Sequence, residues 1–124
     1  MNSPEKFPDI EIYLKRVETA AIVAWLESTF SKIEVIRSEP STQCKIDGEM
    51  RCTITEQVAK GGYCSVWFEN NLTPWTTDRD CAVAAFTHFQ CETRCSTGGW
   101  EGEDDGGWLR ITEKGEQIVN WHQT

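Results

Sequence analysis

The sequence predicts an α+β fold made of two modules of order β-α-β-β-β, which form mixed, mainly antiparallel sheets with one helix each. Three observations lead to this prediction. Apolar residues alternate in strand-like runs or recur at helical spacing along most of the chain. Tight turns containing Gly48, Gly61 and Gly115 each join two strand-like runs. Matching residues also recur 58 positions apart: Thr19 and Thr77, Ala24 and Ala82, Glu34 and Glu92, and Ser38 and Ser96.

The length and charge of the chain limit its domain count and its partners. A chain of 124 residues is expected to form one domain, which we place at 9–124 after a tail at 1–8, with modules at about 9–58 and 62–122. The net charge of −8 argues against nucleic acid and anionic membranes, because both are bound by basic surfaces. No apolar run suits a signal peptide or a membrane span, so a cytoplasmic protein is expected.

The first module is expected to begin with a strand, a helix and a second strand. Ile10, Ile12 and Leu14 alternate with polar residues, which predicts a half-buried strand. The run "TAAIVAWLESTFSK" has apolar residues at helical spacing, and Thr19 is its predicted N-cap. The run "KIEVIRS" predicts the next strand, which ends before Pro40.

Two hairpins follow, and their loop lengths predict how their strands pair. We place three-residue loops at 46–48 and 59–61, each ending in a glycine that suits a left-handed backbone conformation. This register collects the apolar residues on one face of the ladder. The predicted opposite pairs are Cys44 with Met50, Ile54 with Val66 and Cys52 with Phe68.

The second module is predicted to repeat this order. Thr77 is the expected N-cap of a second helix, with Asp80 at its third position as in a capping box. The run "CETRCS" predicts a strand, and a last hairpin follows with a loop at 113–115. The buried stripe of the helix is predicted as Ala82, Phe86 and Phe89, and one face of the hairpin as Leu109, Ile111, Val119 and Trp121.

A glycine-rich acidic segment interrupts the second module. Gly48 and Gly115 are 67 positions apart, which exceeds the offset of 58 and places an insertion at 97–107. The run "GGWEGEDDGGW" allows three interpretations: a solvated flexible loop, a lid that helps to bind a cationic ligand, or a calcium loop. Calcium spacing fails at the twelfth position, where Thr112 stands in place of Glu.

The six cysteines are predicted to be reduced thiols. They form no Cys-x-x-Cys pair and have no histidine at zinc-finger spacing. Cys91 and Cys95 are expected to lie about 13 Å apart along an extended strand, too far for a disulfide. We therefore expect small apolar side chains in the core, without disulfides or a metal site. The six are Cys44, Cys52, Cys64, Cys81, Cys91 and Cys95.

Three runs of the chain resemble the vicinal oxygen chelate superfamily, which includes glyoxalase I, the bleomycin-resistance proteins and the extradiol dioxygenases. They are "IEIYLKRVETAAIVAWLESTFSKIEV", "VWFENNLTPWTTDRDCAVAAF" and "WLRITEKGEQIVNW". The resemblance implies paired β-α-β-β-β modules with a ligand cleft between them. It also implies a homodimer by analogy.

The metal ligands of that superfamily are not matched in this chain. Metal-dependent members hold a divalent ion with His or a carboxylate on the first strand of each module and Glu on the last strand. Here His88 falls on the predicted second helix and His122 after the last strand. The resemblance therefore implies a metal-free binding protein, without cofactor or catalytic residue. The alternatives are a metal-dependent lyase or dioxygenase of the same fold, or an acidic, chaperone-like protein-interaction module.

Aromatic and acidic residues provide the candidate ligand site. Trp67 and Trp108 are predicted to point away from the apolar residues of their own strands. Aromatic faces attract cations and stack on flat rings, so they suit a small cationic or aromatic ligand. The candidate ligand-binding residues are Tyr63, Trp67, Trp100, Trp108, Glu103, Asp104 and Asp105.

Overall fold

The computed structural model describes residues 7–96 and 107–120, which form eight strands and two helices. The strands are β1 (Ile10–Lys15), β2 (Ile33–Arg37), β3 (Thr42–Ile46), β4 (Met50–Ala59), β5 (Tyr63–Phe68), β6 (Thr93–Ser96), β7 (Gly107–Thr112) and β8 (Gly115–Asn120). The helices are α1 (Thr19–Thr29), between β1 and β2, and α2 (Asp78–Phe89), between β5 and β6. The fold class is therefore α+β, as predicted.

All eight strands belong to one sheet, in the order β2-β3-β4-β5-β1-β6-β7-β8. Every neighbouring pair is antiparallel, so the prediction of partly parallel pairing is wrong. Because β1 pairs with both β5 and β6, strands from both predicted modules belong to one hydrogen-bonded sheet. β2 and β8 form the two edges of the sheet.

Both helices pack on the same face of this sheet. One continuous core contains the buried residues of α1 and α2 and every second residue of the central strands. Ile10, Ile12 and Leu14 of β1 belong to this core, so the residues between them project from the other face. We call the two sides the helix-covered face and the helix-free face, since neither described helix packs on the second.

Aromatic rings fill the helix-covered face between α1 and the sheet. The ring of Trp25, on α1, stacks on Trp75 with 5.6 Å between the ring centroids. Trp75 precedes α2 and also contacts Phe30 and Phe68. A residue from a connecting segment thus completes the core, which its position outside any helix or strand did not predict.

The two helices differ in how their first turns are capped. The Thr77 hydroxyl accepts a hydrogen bond from the backbone N–H of Asp80 at 3.2 Å, which confirms the predicted cap of α2. The N-cap of α1 is Glu18, whose side chain makes no capping hydrogen bond. The prediction of Thr19 as N-cap is wrong, because Thr19 is already the first residue of the helix, and its hydroxyl donates to the Glu56 carboxylate of β4.

Small side chains form the buried stripe of α2. Ala82 is fully buried as predicted, and Cys81 and Ala85 are buried beside it. Phe86 and Phe89 are only partly buried and pack against the margin of the core. Small residues at the contact allow the helix to approach the sheet closely, so the larger rings lie at its sides.

The hairpin between β3 and β4 is shifted by two residues from its predicted register. Cys44 lies opposite Cys52 instead of Met50, and Met50 lies opposite Ile46. Its loop is therefore 47–49. Because side chains alternate with a period of two, a shift of two residues leaves the predicted faces unchanged, and all four residues face the core.

The hairpin between β4 and β5 is regular at one end only. Beyond Thr55 the register shifts, and Gln57 adopts a left-handed conformation with φ 57°. Ala59 then lies opposite Tyr63, so the loop is 60–62 instead of 59–61. Two predicted pairs are confirmed in the regular part: Ile54 with Val66 and Cys52 with Phe68.

The last hairpin has a two-residue loop. Thr112 lies opposite Gly115, which leaves only 113–114 between the strands, and the Thr112 hydroxyl accepts a hydrogen bond from the Lys114 backbone N–H at 3.1 Å. Gly115, with φ 110°, is the first residue of β8 and not the last residue of the loop. The predicted loop at 113–115 is therefore wrong by one residue.

This one-residue difference turns β8 over. Ile118 lies opposite Leu109 on the helix-covered face, and Val119 lies opposite Trp108 on the helix-free face. The prediction that Val119 shares a face with Leu109 and Ile111 is wrong, because an odd shift moves every side chain of a strand to the other side.

All six thiols are free, and five are buried, as predicted for small apolar side chains. Cys91 is partly buried. Burial raises the pKa of every one of these thiols, and that of Cys95 rises to about 12. The thiols are therefore protonated and poorly nucleophilic at neutral pH.

Some predictions fall outside the described residues. These are residues 1–6 of the tail predicted at 1–8, Trp121 on the predicted face of the last hairpin, and nearly all of the insertion at 97–107, of which only Gly107 is described, in β7. In the described part of the chain, neither helix is long and apolar enough to cross a membrane.

Candidate ligand-binding face

The registers of four neighbouring strands place two predicted ligand residues in one row on the helix-free face. Trp67 of β5 lies opposite Glu11 of β1, and Ser96 of β6 lies opposite Trp108 of β7. The last pair of the β1–β6 ladder is Ile12 with Cys95, so Glu11 and Ser96 are the next positions along the two strands, where the Glu11 backbone N–H donates to Asp78. We call this row, Trp67, Glu11, Ser96 and Trp108, the indole row.

The carboxylate of Glu11 lies between the two indole-bearing positions. Strand spacing of about 4.8 Å puts the backbones of Trp67 and Trp108 about 14 Å apart. Glu11 accepts a hydrogen bond from the Ser65 hydroxyl at 3.1 Å, and the Trp67 indole N–H donates to Asp9 at 2.8 Å. With 37% of its surface exposed, Trp67 offers aromatic surface to solvent beside these carboxylates.

Tyr13 supports the Trp108 end of the row. The two rings meet edge to face, with 5.4 Å between their centroids. Burial raises the pKa of Tyr13 to about 12, and the charge of Glu11 and its hydrogen bond to the phenol contribute to this rise. Tyr13 therefore remains a neutral phenol that positions the indole and is not a base at neutral pH.

A third carboxylate lies at the same end of β1. Asp78, the first residue of α2, accepts a hydrogen bond from the Glu11 backbone N–H at 3.4 Å. Burial raises the pKa of Asp78 to about 6, and the charges of Asp9 and Glu11 add to the rise while the hydrogen bond opposes it. The charges of Asp9 and Glu11 that act on Asp78 also create a negative potential at this end of β1, and that potential favours a cation.

A buried ion cluster occupies the other end of the helix-free face. The Glu92 carboxylate accepts hydrogen bonds from the Tyr63 hydroxyl at 2.7 Å and from Nη2 of Arg94 at 2.8 Å. The same oxygen lies 3.2 Å from Nε of Arg110. Tyr63 and Arg94 are buried although no described helix covers them. We call Tyr63, Glu92, Arg94 and Arg110 the Glu92 cluster.

The protonation states in this cluster are fixed near neutral pH. Burial alone would raise the pKa of Glu92, but hydrogen bonds from Tyr63 and Arg94 and the charges of Arg94 and Arg110 lower it below the usual value. Burial and the hydrogen bond to Glu92 raise the pKa of Tyr63 to about 12. A permanently ionised carboxylate and a permanently neutral phenol bind and orient partners, but they exchange no proton with a substrate at pH 7.

A cleft of about 380 Å³ adjoins the Glu92 cluster at the end of α2. Its charged walls are Glu92, Arg110, Glu113 and Lys114, so cations and carboxylates are balanced. Nε of Arg110 is buried and makes no hydrogen bond, because its 3.2 Å approach to Glu92 is an ion pair without hydrogen-bond alignment. The cleft is thus polar and has no net preference for either sign of charge.

The structure brings three of the predicted ligand residues to one face. Trp67 and Trp108 point away from the core, as predicted, and Tyr63 lies on the same side. Tyr63 is only 3% exposed, however, and its hydroxyl is bound by Glu92, so it supports this face from within. The other candidates, Trp100, Glu103, Asp104 and Asp105, lie outside the described residues.

Glu11, Tyr13, Arg94 and Arg110 were not predicted as site residues. The alternation in "IEIYLK" carried a usable signal, because it places Glu11 and Tyr13 opposite the core once the strand is assigned. Nothing in the sequence indicated that β1 lies between β5 and β6. That neighbourhood is what brings these side chains beside Trp67 and Trp108.

Within residues 7–96 and 107–120, no three His, Cys, Asp or Glu side chains are grouped to hold a metal ion. His88 is exposed on α2, where its ring contacts Phe89 and Trp25. Cys81, seven residues earlier on the same helix, is buried.

Comparison of the chain with models of protein families, with curated proteins and with solved structures found no match.

Proposed function

We propose that this protein is a metal-free binding protein that holds a small cationic, aromatic ligand on the helix-free face of its sheet. The observation that supports this proposal is the indole row, in which Glu11 lies between Trp67 and Trp108. A flat ligand can stack on an indole while its positive charge approaches the carboxylate. Each cation–π contact of this kind contributes about 0.5–2 kcal/mol.

The distribution of charge favours a cation at the indole row over the Glu92 cluster. Three carboxylates lie near the start of β1, where Glu11 is opposite Trp67 of β5. They belong to Asp9, Glu11 and Asp78. At the other end, the Tyr63 ring already has the guanidinium of Arg94 at 5.1 Å and the ammonium of Lys15 at 6.0 Å from its centroid. A ligand cation would be repelled there, whereas the indole row offers carboxylates.

The proposal includes the predicted relation to the vicinal oxygen chelate superfamily and its metal-free binding members. Its support is the order of elements, in which β1-α1-β2-β3-β4 and β5-α2-β6-β7-β8 are two runs of β-α-β-β-β. The two runs join the sheet differently, because β4 pairs with β5 whereas β6 pairs with β1. The superfamily's cleft between modules corresponds in this proposal to the face above β5, β1, β6 and β7.

Titration with two matched naphthalene probes tests the proposal. The protein at pH 7 is titrated with 2-naphthylmethylammonium and with 2-naphthoate by calorimetry and tryptophan fluorescence. We expect the cation to bind at least about tenfold more tightly than the anion, because Glu11 and its neighbouring carboxylates attract only the cation. Affinity for the cation should fall as the pH drops from 7 to 5, since Asp78 with a pKa of about 6 loses its charge.

Three variants separate the parts of the proposed site. Glu11→Gln should remove the preference for the cation, and Trp108→Leu should weaken both probes. Leu72→Ala changes an exposed apolar residue between β5 and α2 and is the matched control, which should bind like the wild type. The proposal is wrong if neither probe saturates the protein, or if Glu11→Gln keeps the full preference for the cation.

The predicted alternative, a metal-dependent lyase or dioxygenase, makes a different prediction for the same protein. Elemental analysis after purification without chelators would find stoichiometric Ni, Zn, Fe or Mn. That result would replace the binding proposal, because the metal and not the indole row would then define the site.

A further inference from the structure

The edge strand β2 carries exposed apolar residues. Val35 is 47% and Ile36 is 53% exposed, although both lie in a strand that pairs on its other side with β3. An edge strand also presents backbone N–H and C=O groups that are free to pair with another strand. This edge is therefore suited to extension of the sheet by another chain.

The bulge in β2 gives this edge a symmetric arrangement of charge. On the ladder with β3, Glu34 lies opposite Lys45, Val35 opposite Cys44 and Arg37 opposite Gln43. Ile36 is the extra residue, so Glu34 and Arg37 occupy the ladder positions on either side of Val35. Both charged side chains consequently lie on the helix-free face, and Val35 lies on the helix-covered face with Cys44.

We propose that β2 pairs with β2 of a second copy of this chain, about a two-fold axis that passes beside Val35. In this antiparallel pairing Val35 lies opposite its own equivalent, and Glu34 lies opposite the Arg37 of the other copy. The two-fold axis then creates two identical ion pairs and places the exposed apolar residues in contact. Opposite charges directly across an antiparallel pair stabilise it, whereas like charges destabilise it.

The charges of the edge favour a second copy in this orientation over pairing with the other edge. Glu34 and Arg37 are complemented by a partner strand with a base and an acid two ladder positions apart, which β2 itself supplies. The only charged residue of β8 is Glu116, and its carboxylate is already held by Arg79 at 2.6 Å. Pairing of β2 with β8 would leave Glu34 without a basic partner on that strand.

The resulting dimer is a continuous sheet of sixteen strands, since each copy contributes the eight strands of its own sheet. A two-fold axis perpendicular to the sheet keeps both helix-free faces on the same side. The inference does not depend on the proposed ligand, because the indole row lies on β5, β1, β6 and β7, away from β2.

Sedimentation velocity over a concentration series tests this interface with charge-reversed variants. The wild-type chain should show a monomer–dimer equilibrium. Glu34→Arg and Arg37→Glu should each raise the dissociation constant at least about tenfold, because each places like charges opposite one another twice. An equimolar mixture of the two variants should form a heterodimer at about wild-type affinity, because every pair in it is again of opposite charge.

The mixture keeps the test decisive even if a single variant loses stability. Glu34→Arg also faces Lys45 within its own chain, and mixing cannot repair that effect, whereas it repairs the intermolecular pairs. Ile118→Thr on β8 is the matched edge control and should leave the dissociation constant unchanged. A wild-type chain that stays monomeric at all concentrations, assemblies larger than a dimer, or variants that fail to recombine would each overturn the inference.

Discussion

The two faces of the sheet bury their residues by different means. On the helix-covered face, α1 and α2 close an apolar core in which Phe68 and Trp75 are in contact. On the helix-free face, Tyr63 and Arg94 are equally buried but are held by Glu92. Burial on the first face is driven by removal of apolar surface from water, and on the second it requires that every buried charge has a partner.

This difference indicates that residues on the helix-free face, and not those of the core, can provide binding specificity. An apolar core tolerates little change in volume and exposes nothing that recognises a ligand. The helix-free face instead combines fixed charges with the exposed indole of Trp67. Its polar residues lie in definite rows because the strand registers hold them there.

The largest expected effect is on the helix-covered face. Phe68→Ala removes a fully buried ring that contacts Phe30 and Trp75. We expect the free energy of unfolding to fall by about 3–5 kcal/mol, measured by urea denaturation. A fall below about 1 kcal/mol would mean that the helices do not close this core.

The Glu92 cluster should respond almost as strongly, although it lies on the face without a helix. Glu92→Gln leaves the buried guanidinium of Arg94 without its carboxylate. We expect a loss of about 3 kcal/mol in the free energy of unfolding. The double variant Glu92→Gln, Arg94→Met is the control and should recover part of this loss, because it also removes the buried positive charge. A neutral effect of Glu92→Gln would show that water already solvates the cluster.

Asp78, at the boundary of the two faces, should make the free energy of unfolding depend on pH. Its raised pKa of about 6 means that folding favours the protonated acid, so its contribution is complete below about pH 4 and is lost as the pH rises through 6. Asp78→Asn should therefore be more stable than the wild type by about 1 kcal/mol at pH 7, a value reduced for partial exposure, and similar to it at pH 4. Thermal denaturation across this range measures the difference, and a gap that widens towards pH 4 would contradict the sign.

The smallest expected effect concerns the edge of the helix-covered face. Ile118 faces the same side as Leu109, yet it is 65% exposed because β8 lies beyond the cover of the helices. Ile118→Thr should change the free energy of unfolding by less than about 0.5 kcal/mol. A loss above about 2 kcal/mol would mean that the apolar side chain is buried, and that the helix-covered face extends to its edge.

Errors in the predicted hairpins had unequal consequences for the faces. The β3–β4 register was wrong by two residues, and Cys44 still faces the core. The β7–β8 register was wrong by one residue, and Val119 moved to the helix-free face. The β3–β4 loop keeps its predicted length of three residues, so its register changes by an even number, whereas the β7–β8 loop is one residue shorter, so its register changes by an odd number. A glycine near a turn does not reveal the loop length, because it suits either the last loop position or the first strand position.

Local interactions explain which predictions from the sequence were confirmed. Alternation along β1, the cap at Thr77 and the direction of Trp67 each depend on residues close in the chain, so the sequence by itself determined them. The cap at Thr19 failed because the helix begins one residue earlier than predicted, with Glu18 as its N-cap, and the Thr19 hydroxyl donates to the distant Glu56. Only the tertiary structure decided that β1 lies between β5 and β6, which sets Glu11 between two indoles and buries Arg94 against Glu92. Strand order is a non-local property, and no spacing within one segment can encode which strand becomes its neighbour.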